Sequence, residues 1–232
     1  MKRVVNDLVK IIRKYELDYN NFNLACSAAR QECELKPKKS KQSDRKRATY
    51  DEFRTFLKII EKEEVKDRLM FKIFTYMGLR CFELTNLKIQ DIDLTVGREK
   101  MFVERKQGRD RYFCIPRVLV EILKIYIATR DTLYLFEPAF RKKYSERAIR
   151  KKITKYREEA GVSPLIHSHA FRSKLVTFLS EKGWSTRQIS LVTGHEIGST
   201  VDIYDERNPE SIRVIYNEAM NEYSELLYSE RG

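Results

Sequence analysis

Residues 78–94 read G-L-R-C-F-E-L-T-N-L-K-I-Q-D-I-D-L, and this stretch decides how its surroundings fold. The segment before it, from about Lys66 to Met77, has the pattern of a helix, and Gly78 is the residue type that ends a helix in a left-handed turn. Arg80 then opens a second helix. A guanidinium and free backbone N–H groups at such a position can be aimed at one phosphate. Glu83 follows three residues later, one turn along the same face, within reach of the Arg80 side chain or the backbone nearby. Taken alone, the fragment reads as an ordinary surface Arg–Glu pair.

Upstream, Thr49-Tyr50-Asp51-Glu52 has capping-box form, with Thr49 as N-cap and Glu52 three residues on. It predicts a helix with Phe53, Phe56, Leu57 and Ile60 on one face. Downstream, residues 101–103 and 112–115 are short β-rich runs around the polar stretch E-R-K-Q-G-R-D-R, which predicts a β-hairpin with a basic tip. Helical patterns return at 117–130, 145–159, 169–182, 185–193 and 209–228. The expected fold class is therefore mainly α with one small antiparallel β-sheet (α+β).

The chain has 232 residues and a formal net charge of +12. At 42% hydrophobic and 11% aromatic it can fill a core, and no apolar run approaches membrane-spanning length. Its start lacks a signal-peptide apolar region, so a cytoplasmic protein is expected. Cys26, Cys33, Cys81 and Cys114 form no C-x-x-C pair and read as ordinary buried or half-buried thiols. With only His167, His169 and His195 beside them, no zinc-ligand spacing arises. The positive surplus points to a polyanion: DNA, RNA or an anionic membrane.

The charge is concentrated. Residues 36–47 carry seven basic residues and one acidic residue. Lys38, Lys39, Lys41, Arg45, Lys46 and Arg47 in this linker are candidate phosphate contacts. Four parts are expected: a short helical segment at 1–35, a basic linker at 36–48, a main domain of helices and one hairpin at 49–206 and an acidic amphipathic helix at 207–232. In that last helix, Ile212, Ile215, Ala219, Tyr223 and Leu226 form an apolar face. It is open whether that face docks onto its own domain or onto a neighbouring subunit.

Three further fragments complete the reading. I-H-S-H-A-F-R at 166–172 places His169 and Arg172 on one helix face. G-H at 194–195 introduces His195. Tyr204 stands nine residues after His195. The order Arg, hairpin Lys, H-x-x-R, G-H and Tyr resembles the tyrosine recombinase (phage integrase) family, whose pattern is roughly T-G-L-R-x-x-E-L … K … H-x-L-R-H-T … L-G-H-x-x-x-x-T-x-x-Y. The resemblance covers residues 47 to about 206 and includes Leu84, Leu87, Asp91 and Asp93.

The resemblance implies the tyrosine recombinase catalytic-domain fold and a set of roles. Arg80 and Arg172 would clamp the scissile phosphate. His169 and His195 would hydrogen-bond it and help move protons. Lys106 would protonate the leaving 5′-oxygen, and Tyr204 would be the nucleophile. Thr200 would shape the turn before Tyr204, and Glu83 would support Arg80. Arg105, Arg109 and Arg111, around Lys106, are expected to contact the DNA backbone. The implied activity is site-specific recombination through a 3′-phosphotyrosine, with no cofactor or metal. The implied partners are double-stranded DNA and, on paired sites, a homotetramer; the free protein would be a monomer or weak dimer, with no membrane partner. Alternatives are a type IB-like topoisomerase and a DNA-binding regulator without catalysis, which predicts damage at one of the six catalytic positions; none is damaged. A basic RNA-binding module lacks its aromatic-basic motif.

The chemistry suits these residue types. Phosphodiester charge grows during attack, and two guanidinium forks neutralise it with charge-assisted hydrogen bonds. A phenol is a weak nucleophile near neutral pH and needs a base and a polarised phosphorus. Two departures stand out: Ser173 occupies a position where the family often has His, and the N-terminal segment is shorter than the family's usual helical domain. Tyr216 and Tyr223 are rival phenols, but their spacing reads as core.

Overall fold

A computed structural model describes residues 2–34, 47–104, 110–138, 142–194 and 209–229, with only the backbone of Pro209 and Glu210. It divides into two units, Met1–Arg45 and Lys46–Gly232. The first contains α1 (Lys2–Lys14) and α2 (Tyr19–Glu32), in neither of which a residue is buried. Asp18 caps α2 by accepting from the Asn21 backbone N–H at 2.7 Å.

The second unit is mainly helical with one three-stranded antiparallel sheet, the fold class read from the sequence. The capping box forms as expected: the Glu52 N–H donates to Thr49 Oγ1 at 3.1 Å and the Thr49 N–H to Glu52 Oε2 at 2.8 Å, starting α3 (Tyr50–Ile60). Next, α4 (Val65–Met77) ends at Gly78 in the left-handed region, φ +60°. The stretch quoted first becomes α5 (Cys81–Thr85), a 3-10 turn (Ile89–Asp91) and β1 (Ile92–Asp93).

β1 is a strand the sequence reading did not include. Two residues are too few for a period-2 signal, and its pairing with β2 (Lys100–Val103) defines it. β2 pairs with β3 (Arg111–Cys114) in the register Met101↔Phe113 and Val103↔Arg111. The remaining helices are α6 (Arg117–Ala128), α7 (Glu146–Glu159), α8 (Ser168–Glu181), α9 (Thr186–Thr193) and, after a 3-10 turn at Pro209–Ile212, α10 (Arg213–Tyr228).

The core centres on Phe171 of α8. Its ring lies 5.2 Å from Phe53, 5.7 Å from Phe56 and 5.7 Å from Phe74, centroid to centroid. Edge-on and offset rings of this kind add roughly 0.5–1.5 kcal/mol per pair beyond the area they bury. Because Phe171 immediately precedes Arg172, the aromatic cluster that joins α3, α4 and α8 also fixes where Arg172 stands.

Helix α10 packs on α3 and α6 of its own chain. Ile212, Tyr216, Ala219, Met220, Tyr223 and Leu227 are buried, whereas Ile215 is 37% exposed. Polar groups lock the same seam. Tyr216 Oη donates to the Tyr76 carbonyl at 2.6 Å, Arg213 Nη1 to the Glu99 carbonyl at 2.9 Å, and the Arg117 N–H to Asn217 Oδ1 at 2.8 Å. Most of the expected apolar face of this helix thus packs on its own domain, and Ile215 stays at the surface. Among the described residues, no helix is long and apolar enough to cross a membrane, and no group of His, Cys, Asp and Glu is arranged to hold a metal ion. All four cysteines are free; Cys81 and Cys114 are buried, and Cys33 is exposed.

Candidate active site

Gly78 joins the two halves of the site. Its left-handed turn frees the chain from α4, Leu79 is buried, and Arg80 becomes the N-cap of α5. A Cβ on Gly78 would lie 3.2 Å from Leu175 Cδ2 and 3.4 Å from the Arg172 Cα, so α8 passes directly over the glycine. The Gly78 carbonyl accepts from Arg172 Nη1 at 2.9 Å. One glycine therefore ends a helix, admits a second helix and holds its arginine.

Glu83 links the two arginines. Its Oε2 accepts from the Arg80 backbone N–H at 2.7 Å, and its Oε1 from Arg80 Nη1 at 3.0 Å. The same carboxylate lies 3.9 Å from Arg172 Nη1. Both the Glu83 and Arg172 side chains are 1% exposed, while Arg80 is 45% exposed. Two guanidiniums 92 positions apart in sequence thus share one buried carboxylate. The trio keeps a net positive charge, with Arg80 reaching towards solvent, which suits capture of a phosphate monoanion.

His169 stands one turn before Arg172 on α8. Although His169 is an exposed residue, partial desolvation of its ring by the surrounding protein holds its pKa below the ordinary 6.5, and the charges of Arg172, His167 and Arg80 push in the same direction. A shift in this direction favours the neutral ring, which can donate one hydrogen bond and accept another. His167 is the N-cap residue of α8.

A cavity beside these groups is lined by Arg47, His169, Arg172, Ser173, Val176 and Thr177. Arg47 Nη1 donates to Thr177 Oγ1 at 3.1 Å, which brings the end of the basic linker to this rim. The sequence reading singled out Arg47 but not Val176 or Thr177. Val176 stands at i+4 from Arg172 and Thr177 at i+4 from Ser173, and that spacing was the available signal.

The other basic candidates divide. Arg111 does not extend freely from the hairpin: its guanidinium stacks on Phe113, 4.7 Å from the ring centroid, and Nη2 donates to the Ser190 carbonyl at 2.5 Å. Lys106, Arg105, Arg109, His195, Thr200, Tyr204, Lys38, Lys39, Lys41, Arg45 and Lys46 lie outside the described residues. One basic surface was missed from sequence. Helix α7 exposes Arg147, Arg150, Lys151 and Lys155, packs against α5, and brings Arg150 close enough to act on the buried Cys81 thiol next to Arg80. The signal was four basic residues at helical spacing, which in isolation describes any solvated helix face. The rival phenols are buried: Tyr216 and Tyr223 are 1% and 0% exposed, and burial drives both hydroxyl pKa values well above the ordinary 10.

Residues 46–211 match the model of the phage integrase family. The chain belongs to that family. Tyrosine recombinase XerA of Pyrococcus furiosus is 34% identical over 167 residues, covering 68% of this chain and 56% of that protein. The crystal structure of XerA recombinase superposes with a TM-score of 0.59 at 22% identity, covering 92% of this chain and 78% of that one. The crystal structure of a lambda integrase tetramer bound to a Holliday junction gives 0.56 at 18% identity, covering 86% and 58%. This phage integrase family chain spans between 56% and 64% of the length of the XerA proteins it matches.

Proposed function

We propose that this protein is a site-specific DNA recombinase that cuts and rejoins strands through a 3′-phosphotyrosine. The observation that carries the reading is the convergence of Arg80 and Arg172 on the buried carboxylate of Glu83, with His169 one turn before Arg172 on α8. In this reading the two guanidiniums bind the non-bridging oxygens of one phosphodiester and stabilise the charge that builds during attack. Tyr204 Oη forms a bond to phosphorus as the bond to the 5′-oxygen breaks. The phenolic proton leaves through the histidine pair, His169 and His195, and Lys106 supplies a proton to the departing oxygen. Each proton transfer of this kind is worth on the order of 10²–10⁴-fold in rate. The phosphotyrosine keeps the energy of the broken bond, so rejoining to another end needs no nucleotide.

Double-stranded DNA is the proposed partner, engaged by the linker bases including Arg47, by Arg105 and Arg109, and by the exposed face of α7. Paired strand exchange calls for four active sites, hence a homotetramer on paired DNA sites and a monomer or weak dimer when free. A protein acting on chromosomal or mobile-element DNA would work in the cytoplasm.

The test is a nicked oligonucleotide duplex that loses a short fragment after cleavage and so traps the adduct. Wild type should become attached to DNA in EDTA, and Tyr204→Phe should not. Attachment by Tyr204→Phe would refute the assigned nucleophile, and no attachment by wild type to any family-type site would refute the activity.

A further inference from the structure

Gly194 immediately precedes His195 in sequence, and Lys106 falls between β2 and β3. One side chain, Arg111, adjoins both places. It opens β3, pairs across the sheet with Val103, and therefore sits at the base of the hairpin. Phe113, two residues on, lies on the same face of the strand, and the Arg111 guanidinium stacks on it. Nη2 donates to the carbonyl of Ser190, in the last turn of α9, where the helix dipole favours a cation.

Gly194 shows how tight the junction is. Its φ is +76°, a conformation that L side chains rarely adopt. A Cβ there would lie 2.9 Å from Arg111 Nη2 and 3.0 Å from Phe113 Cζ. The glycine is thus required both by backbone conformation and by the space that the Arg111–Phe113 stack fills. The 3-10 turn at Pro209–Ile212, which follows Tyr204 closely in sequence, also packs on β3 and α9. A guanidinium committed to a helix end and an aromatic face would have to abandon both to reach a DNA phosphate.

We propose that Arg111 is a positioning residue for strand cleavage: it stitches the stem of the Lys106 hairpin to the end of α9, and so sets the acid relative to the nucleophile segment. The inference rests on the roles proposed above for Lys106 and Tyr204. The stem itself is well buried, with Met101, Val103 and Phe113 at most 1% exposed. Arg111 belongs to the last pair of its ladder, Val103↔Arg111, next in sequence to the segment that carries Lys106. Loss of the stitch therefore acts at that end of the stem, and the step that suffers is protonation of the leaving oxygen.

The experiment compares Arg111→Ala and Arg111→Gln with wild type, Lys106→Ala and Tyr204→Phe. Two nicked substrates are used, one with the ordinary 5′-oxygen at the scissile position and one with a 5′-bridging sulfur, which leaves as thiolate without needing a proton. Arg111→Ala should form adduct about 10–100-fold more slowly on oxygen, the scale of misplacing a catalytic group by about an ångström. On sulfur the deficit should shrink at least fivefold, and DNA affinity with its salt dependence should match wild type. Arg111→Gln, which keeps a donor for Ser190, should fall between and serves if the alanine variant does not fold. Equal deficits on both substrates, no deficit, or weaker DNA binding with a shallower salt slope would each overturn the proposal. Failure of sulfur to rescue Lys106→Ala, or adduct formation by Tyr204→Phe, would instead overturn the underlying assignments.

Discussion

Replacing Glu83 by Gln tests the site most directly. The carboxylate accepts two hydrogen bonds from Arg80 and lies 3.9 Å from Arg172 Nη1, with both buried side chains 1% exposed. At an effective dielectric of about 20, two unit charges at that distance attract by roughly 4 kcal/mol. Removing one partner of a buried pair typically costs about 3–5 kcal/mol, because the other charge is left uncompensated. Glutamine keeps an acceptor for the Arg80 N–H, so the lower end applies, about 3 kcal/mol. For a unit of this size that is a fall in Tm of about 6–12 °C. The assay is urea unfolding followed by circular dichroism, run as a double-mutant cycle with Arg172→Gln. The double variant should be more stable than the sum of the singles by about 1–3 kcal/mol, since it no longer buries an unpaired charge. Adduct formation by Glu83→Gln should drop at least about 100-fold as both guanidiniums lose their aim. If Glu83→Gln melts within about 2 °C of wild type and the cycle is additive within about 0.5 kcal/mol, the carboxylate does not join the arginines and the case for a shared phosphate site fails.

Other expectations follow from the same structure. His169 should titrate below 6.5 in the DNA-free protein when followed by NMR of its ring. The unfolded chain then takes up the proton first as pH falls below 6.5, so this residue removes stability between 6.5 and its lower native pKa and contributes none above 6.5; a midpoint at or above 6.5 would contradict the burial argument. Tyr216→Phe should lose about 1 kcal/mol in denaturant unfolding, the worth of the hydroxyl's bond to the Tyr76 carbonyl, and keep full adduct formation; loss of adduct would reinstate Tyr216 as a nucleophile. Phe171→Ala should cost about 3–5 kcal/mol, because five rings meet there. Arg150→Glu with Lys151→Glu should weaken DNA binding across all sequences and flatten the salt slope by about one for each phosphate no longer engaged, whereas an unchanged slope in fluorescence anisotropy would remove α7 from the interface.

Much of this molecule is local in origin, and local features are what a sequence carries. The Thr49–Glu52 capping box, the helix stop at Gly78, the Arg80–Glu83 contact and the hairpin strands arise between residues a few positions apart. Helical and strand periods and cap chemistry therefore announced them. Spacing likewise put His169 and Arg172 on one face. Tertiary packing decided what links distant segments. That Glu83 also serves Arg172 depends on α8 crossing Gly78, and the Phe53–Phe74–Phe171 cluster enforces that crossing. That α10 packs into the seam between α3 and α6 depends on the shape of that seam; an amphipathic pattern gives an apolar face but no partner for it. Arg111 shows the limit most clearly. In sequence it is one more cation beside a basic loop, and only the stacked ring of Phe113 and the carbonyl end of α9 turn its charge inward, because a hydrogen-bonding fork goes wherever the fold leaves an acceptor at the right distance.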